Sequence, residues 1–299
     1  MADLPDLYLV ADMAPDLVAA LEQRFTVHRG NPPVTTRAIC GGGSSVVDAA
    51  LIDRLPALEI IAINGVGYDG IDLAAAKARR VRVTNTPDVL TDDVADLAIG
   101  LWLAIERRIA ANDAAVREGS WNVPLARRAS GRKVGIFGLG RIGAAIARRA
   151  EPFGGDILYT ARSQKPVAWR FLPDITTLAA ACDVLILAAP GGAGTQGIVD
   201  AAVLAALGGD GVLVNVARGS LVDQEALVAA LETGGIAGAG IDVFADEPFA
   251  PDALKTMPNV VLSPHQGSAT VETRGAMAAL VIANLDAHLA DAPLPSAVV

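Results

Sequence analysis

The sequence predicts an α/β protein with two parallel-sheet domains, one inserted into the other. Three observations carry that expectation. Short β-branched runs alternate with alanine- and leucine-rich helical patterns along the whole chain, as in parallel sheets whose crossovers are helices. The 299 residues exceed the ~100–200 of an ordinary domain. The alternation also falls into two series, and a last helical stretch follows the second with no strand of its own to cover.

In the first series, strands are expected at residues 7–11, 37–40, 59–64 and 81–85, and helices at 15–25, 46–55 and 73–80. His28 sits in a further short strand-like segment, giving a five-strand unit. A long helical pattern follows, with Thr91 or Asp92 as N-cap and Ala95, Ile99, Trp102 and Leu103 along it toward Arg108. It is read as bridging the domains. Leu97, Leu101, Trp102 and Ile105 are expected to face a second subunit. The second series has six expected strands, at 133–138, 157–160, 183–188, 211–216, 238–244 and 260–263. The last helix, about 271–289, is expected to return to the first domain. The boundaries are placed at 1–97, 98–267 and 268–299.

Composition excludes several classes. Although 52% of residues are hydrophobic, the longest uncharged apolar stretch, 97–105, is half of the ~18 residues of a spanning helix. The N-terminus carries acids where a signal peptide would carry Lys or Arg, so a cytoplasmic protein is expected. Cys40 and Cys182 each lie in or beside an apolar run, which gives no disulfide framework. No metal site is expected. A net charge of −9 without basic runs argues against nucleic acid. A binder of small carboxylates must then supply its positive charge locally.

The strongest motif is Gly138-Leu139-Gly140-Arg141-Ile142-Gly143, between an apolar strand and an alanine-rich helix. That context is what a dinucleotide fingerprint demands: one glycine turns the chain, one admits the pyrophosphate, and one lets helix meet strand. An ordinary strand-to-helix turn is the plainer alternative. About twenty residues on, the strand ending at Thr160 shows no acid for ribose hydroxyls. Arg162, Ser163 and Lys165 could instead hold a 2′-phosphate, so NADP is favoured and NAD remains possible. A loop that reads neither cofactor strongly is the other option. Ala189, Pro190, Thr195, Val216 and Ala217, at or just beyond later strand ends, join the cofactor-binding candidates.

Among three histidines, His28 and His288 read as structural or surface residues, whereas His265 stands at a strand end in Ser263-Pro264-His265-Gln266-Gly267. Arg218 ends another buried strand. A guanidinium there is costly to bury without an anion, so it is a candidate carboxylate clamp, with a surface Arg as alternative. Glu247, in a third strand-end segment, could face His265, raise its pKa and fix its tautomer, unless it merely caps or is solvated. His265 could equally be structural.

The ordered set GLGRIG, NVARG, DVFADEP and SPHQG resembles the D-isomer-specific 2-hydroxyacid dehydrogenase family across essentially the whole chain, most closely its glyoxylate/hydroxypyruvate reductases. The resemblance implies a Rossmann-type dinucleotide-binding domain inserted into a flavodoxin-like substrate domain. It gives Arg218 the substrate carboxylate and carbonyl, and Glu247 and His265 the proton-donor pair. It likens Asp242 to the residue that holds the nicotinamide ring, and His265 and Gly267 join the cofactor-binding candidates. It also identifies Asn64 to Asp72 as the motif whose Val66 and Gly67 amides cradle the carboxylate, though a plain glycine turn would read the same.

The implied reaction is reduction of a small 2-keto acid such as glyoxylate or hydroxypyruvate to the D-2-hydroxy acid, with hydride from a nicotinamide and a proton from His265. Alternatives are a dehydrogenase of this fold for 3-phosphoglycerate, phosphite or formate, or a non-catalytic dinucleotide sensor. The 3-phosphoglycerate enzymes often extend at the C-terminus and the formate enzymes at the N-terminus, which fits neither end of this chain. A homodimer is expected, with Trp121 resembling a pocket residue that some such reductases lend to their partner.

Overall fold

Every strand expected in the first series enters one parallel sheet in the computed structural model, which describes residues 4–299. The strands are β1 (Asp6–Leu9), β2 (Thr26–Arg29), β3 (Thr36–Gly42), β4 (Ile60–Asn64) and β5 (Arg82–Thr84), in the order β2-β1-β3-β4-β5. The helices are shorter than their apolar patterns. α1 (Pro15–Glu22) stops early because the Arg24 and Phe25 N–H groups turn back to Leu21 and feed β2. α2 (Ala49–Arg54) begins only at its cap, where the Asp48 carboxylate accepts from the Leu51 N–H. α3 (Leu73–Ala78) is capped in the same way by Asp72.

The second unit opens with α4 (Thr91–Glu106) and α5 (Ile109–Arg117). The sequence reading runs one helix toward Arg108 and expects none after it, so α5 is an addition. Arg108 adopts a left-handed φ of 52°, which ends α4 and restarts the chain as α5. The sheet comprises β6 (Val134–Phe137), β7 (Ile157–Thr160), β8 (Arg170–Phe171), β9 (Val184–Leu187), β10 (Val212–Asn215), β11 (Gly238–Ile241) and β12 (Val260–Leu262). Its order is β12-β11-β10-β9-β6-β7-β8, all parallel. The seventh strand, β8, was missed because two residues followed by Leu-Pro carry no periodicity. The crossovers are α6 (Arg141–Ala150), α7 (Ile175–Ala181), α8 (Ala201–Leu207), α9 (Gln224–Glu232) and α10 (Asp252–Thr256).

α11 (Val271–Leu289) then returns to the first sheet, where Val281 and Leu285 share a core with Leu7, Leu9, Leu17 and Leu21. The opposite face of that sheet packs Ile39, Ile61 and Ile63 against α2 and α3 residues such as Ile52 and Ala76. Both faces are covered, as an all-parallel sheet requires. By contacts the chain divides into residues up to 90 with 270–299, and residues 91–269. The division falls before α4 rather than at 97/98, inside that helix.

α4 packs on its own unit, against α6, β10, β11 and β12. Leu101 and Trp102, expected to face another subunit, are buried within this one, Trp102 meeting Phe153 in a tilted contact at 4.8 Å between ring centroids. Large apolar side chains are exposed further on, at Ile109, Val116, Trp121, Val123 and Leu125. Among the described residues no helix is long and apolar enough to cross a membrane.

Candidate active site

In the second unit the strand order reverses between β6 and β9, and ligands of open parallel sheets bind beyond the carboxyl ends of strands at such a point. The loop after β6 is the glycine motif. Gly138 has φ +99°, and a Cβ there would lie 2.6 Å from the Ala189 nitrogen in the loop after β9. A Cβ on Gly143 would meet the Gly138 carbonyl oxygen at 2.0 Å, so the close approach of α6 to the end of β6 requires glycine at 143. Gly140 differs, since nothing lies within 4 Å of its would-be Cβ. It also begins α6, whose N-terminus no side chain caps. Two glycines hold the backbone close and one leaves room before uncapped N–H groups, which fits a pyrophosphate.

Beyond β7, the Thr160 hydroxyl is spent on the Leu172 and Asp174 carbonyls. The Tyr159 hydroxyl accepts from the Lys165 N–H at 2.7 Å, pinning the loop that exposes Arg162, Ser163 and Lys165. Residues 161–170 contain two arginines and a lysine but no acid. In the loop after β9, Thr195 donates to the Pro190 carbonyl at 2.9 Å.

The loop after β10 is braced by Asn215. Its Oδ1 accepts from the Ala217 N–H at 3.0 Å, and its Nδ2 donates to the Arg218 carbonyl at 2.9 Å. Val216 and Ala217 are buried, and half-buried Arg218 donates from Nη1 to the Ala217 carbonyl at 2.6 Å. A Cβ on Gly219 would fall 1.9 Å from the Phe244 carbonyl carbon, so this glycine lets the Arg218 loop seat against the segment bearing Glu247.

Glu247 Oε2 lies 2.7 Å from His265 Nδ1, and its Oε1 accepts from the Phe244 N–H at 3.0 Å. Burial pushes the Glu247 carboxyl up. The hydrogen bond and charge of His265, the Phe244 N–H and the nearby Arg218 outweigh it and hold the group below the usual carboxylate range. Glu247 is thus ionised at neutral pH and orients the imidazole through Nδ1, which turns Nε2 away from it.

The turn carrying His265 is built on Asp242, a buried residue that the motif reading tied to the nicotinamide. Its Oδ1 accepts from the Ser263 hydroxyl at 2.5 Å and the Gln266 N–H at 2.7 Å, and its Oδ2 from the Gly267 N–H at 2.9 Å. Its carbonyl takes the His265 N–H. His265 itself has φ 54°, unusual for a non-glycine residue, held by these bonds on either side. The bracing by Asn215 and Asp242 was not foreseen, because side-chain bonds to a neighbouring loop leave no periodic trace.

In the first unit, Gly65 packs on Gly43 and the Val66 carbonyl accepts from Asn85 Nδ2 at 2.9 Å. Among the described residues neither the Val66 nor the Gly67 N–H is taken by a backbone carbonyl, so both remain potential anion donors. His28 bonds Asp6 and His288 bonds Glu59, structural pairs as expected.

Residues 99–267 match the sequence profile of the D-isomer specific 2-hydroxyacid dehydrogenase, NAD binding domain. The chain is 44% identical to 2-ketogluconate reductase of Gluconobacter oxydans, with all of both chains covered. It is 51% identical to glyoxylate/hydroxypyruvate reductase A of Arabidopsis thaliana, over 88% of this chain and 85% of that one. The NADPH-dependent glyoxylate/hydroxypyruvate reductase of Sinorhizobium meliloti, solved with NADP and malonate, superposes with a TM-score of 0.93 at 43% identity, covering 98% and 96% of the two chains.

Proposed function

The chain belongs to the D-isomer-specific 2-hydroxyacid dehydrogenase family, and from that premise we propose that it reduces small 2-keto acids, glyoxylate and hydroxypyruvate among them, to D-2-hydroxy acids. The observation that carries the reading is the 2.7 Å bond between Glu247 and His265 beside Arg218. A carboxylate-oriented imidazole and a strand-end guanidinium are the two groups that reduction of a charged carbonyl compound needs. A reduced nicotinamide held by the Gly138–Gly143 loop would supply the hydride for the carbonyl carbon. His265 gives its Nε2 proton to the carbonyl oxygen as that oxygen takes up the π electrons, and Glu247 stabilises the imidazolium before transfer. Arg218 binds the substrate carboxylate as a fork; within the first unit the Val66 and Gly67 amides are neutral donors suited to a small anion. Asp242 keeps His265 in place.

NADP is the preferred cofactor in this reading. The exposed Arg162, Ser163 and Lys165 suit a 2′-phosphate, and the Sinorhizobium meliloti relative was solved with NADP. The protein works in the reducing cytoplasm, where its two buried free thiols, both pushed up to about 12 by burial, stay inert. It acts as a homodimer through the apolar side chains exposed between Ile109 and Leu125.

The test is initial rates on a panel of 2-keto acids with NADPH and NADH, for the parent and Arg162→Ala. Turnover of glyoxylate and hydroxypyruvate is expected, with a lower KM for NADPH that rises in the variant while the NADH KM stays put. Absence of turnover on every 2-keto acid would sink the activity. Equal effects on both cofactors would remove Arg162 from phosphate recognition.

A further inference from the structure

Residues 161–169 join β7 to β8 and carry the cationic side chains set out above for a 2′-phosphate. Every residue from Arg162 to Ala168 is exposed, so no side chain there anchors the loop in the core. Arg162, Lys165 and Arg170 have no acid among them. Like charges on an unanchored segment repel, and such a loop would splay when empty. Two ties oppose that. At its end, Trp169 donates from Nε1 to Glu151 Oε1 at 2.7 Å, in the turn after α6. Tyr159 holds its middle.

The Tyr159 side chain is fully buried in β7, and its ring meets Phe171 of β8 in a tilted contact at 5.5 Å between centroids. Its hydroxyl accepts from the Lys165 N–H at 2.7 Å and donates to the Lys165 carbonyl at 3.3 Å. One side chain thus holds both backbone groups of one residue. Pro166 follows, and a residue before proline is biased to extended backbone. The Val167 N–H closes on the same Lys165 carbonyl at 2.9 Å. Core packing does not call for this arrangement, because phenylalanine would fill the same space. The Lys165 N–H and carbonyl lie in an exposed loop, where water could bond them instead. What the hydroxyl fixes is the Lys165 backbone, and with it the direction in which that side chain leaves the loop.

We infer that Tyr159 is a positioning residue for cofactor choice: its hydroxyl holds Lys165 ready to pair, together with Arg162, with the 2′-phosphate of NADP. A loop ordered before the cofactor arrives does not lose that freedom on binding, which favours the phosphate-bearing dinucleotide. NAD carries no charge at that position for Lys165 to meet. The inference rests on the proposed NADP preference and deepens it, since it makes a buried tyrosine, out of reach of the cofactor, a determinant of that preference.

The experiment measures Kd for NADPH and NADH by fluorescence titration, and for 2′,5′-ADP, which carries the phosphate without the nicotinamide, by calorimetry. The parent is set beside Tyr159→Phe, Lys165→Ala and the double variant, with thermal melting to show that each is folded and hydrogen exchange on the cofactor-free proteins. Tyr159→Phe should raise Kd for NADPH and 2′,5′-ADP roughly three- to tenfold, the size of one neutral hydrogen bond, and leave NADH within about twofold. Its effect should run through Lys165, so the double variant should bind NADPH within about twofold of Lys165→Ala alone. Without cofactor, amides of 161–169 should exchange faster in Tyr159→Phe while those of β6 and β9 keep their protection. Additive losses, equal weakening of NADPH and NADH, or unchanged exchange in the loop overturn the role of Tyr159 while leaving a parental preference for NADPH intact. A Lys165→Ala variant with parental NADPH affinity does so by itself, whether or not Tyr159→Phe folds. A parent that binds NADH as tightly as NADPH overturns that preference and the inference with it.

Discussion

In the proposed reaction His265 depends on the neighbours that hold it rather than on its own exposure. Its ring is fixed by Glu247 and its strained backbone by Asp242, so removing the imidazole should cost chemistry rather than cofactor binding. His265→Gln is expected to lower kcat by about 10²–10⁴-fold, the usual loss for a general acid, with NADPH affinity by fluorescence titration within a few-fold of parent. Near-parental turnover would take His265 out of the reaction. Glu247 adds a pH signature. Its carboxyl is held below the usual range, so the ionised form and its bond to His265 persist at mildly acidic pH and are lost only as pH falls through the lowered value. In the reductive direction kcat should therefore hold steady down to the ordinary carboxylate region and fall beneath it. An acid limb centred above that region would show that another group controls it. The pairing of these two residues was readable in the sequence because SPHQG and DVFADEP carry unusual residue types at strand ends. Asn215 and Asp242 were not readable as braces, since their roles depend on which loop lies beside them.

At the level of elements, the site is a set of loops at the carboxyl ends of β6, β10 and β11, joined by glycine contacts. Strand positions were legible because continuous apolar runs bounded by turn residues have few other readings. Helix ends were less so: α1 ends at a backbone turn and α2 starts at its Asp48 cap, which an alanine-rich pattern hides, and α5 beyond the left-handed Arg108 was not expected. Gly219 shows how elements depend on a single missing methyl. A Cβ there would overlap the Phe244 carbonyl, and because that obstacle is backbone, the Arg218 loop or the Glu247 segment must shift. Gly219→Ala should destabilise the protein by ~1–3 kcal/mol, the range for overpacking, and lower kcat/KM beyond what the lost stability explains. Chemical denaturation and kinetics measured on the same preparation would check this. A variant with parental values in both would mean that the two loops have slack.

For the molecule as a whole, the discontinuity of the first unit was foreseen for a physical reason: an apolar helix with no following strand must cover a sheet made earlier in the chain. The structure adds what secures it there. Val281 and Leu285 complete the core of β1 and α1, Asp286 bonds Arg24, His288 bonds Glu59, and Asn284 reaches Ser296, whose hydroxyl donates to the Asn85 carbonyl. The first unit is therefore incomplete until the last thirty or so residues have been made, although its first strand is made near the start. Leu285 is fully buried, and Leu285→Ala should cost ~2–5 kcal/mol, as for other large-to-small core substitutions. The loss should also be local, because the cavity opens among Leu7, Leu17 and Leu21 rather than in the dinucleotide-binding unit. Hydrogen exchange resolved by segment separates the outcomes: amides of β1 and β3 should lose protection while those of β6 and β9 keep theirs. Protection lost evenly from both sheets would mean that the two units open as one cooperative body, and protection kept in β1 would mean that α11 contributes little to the core it covers.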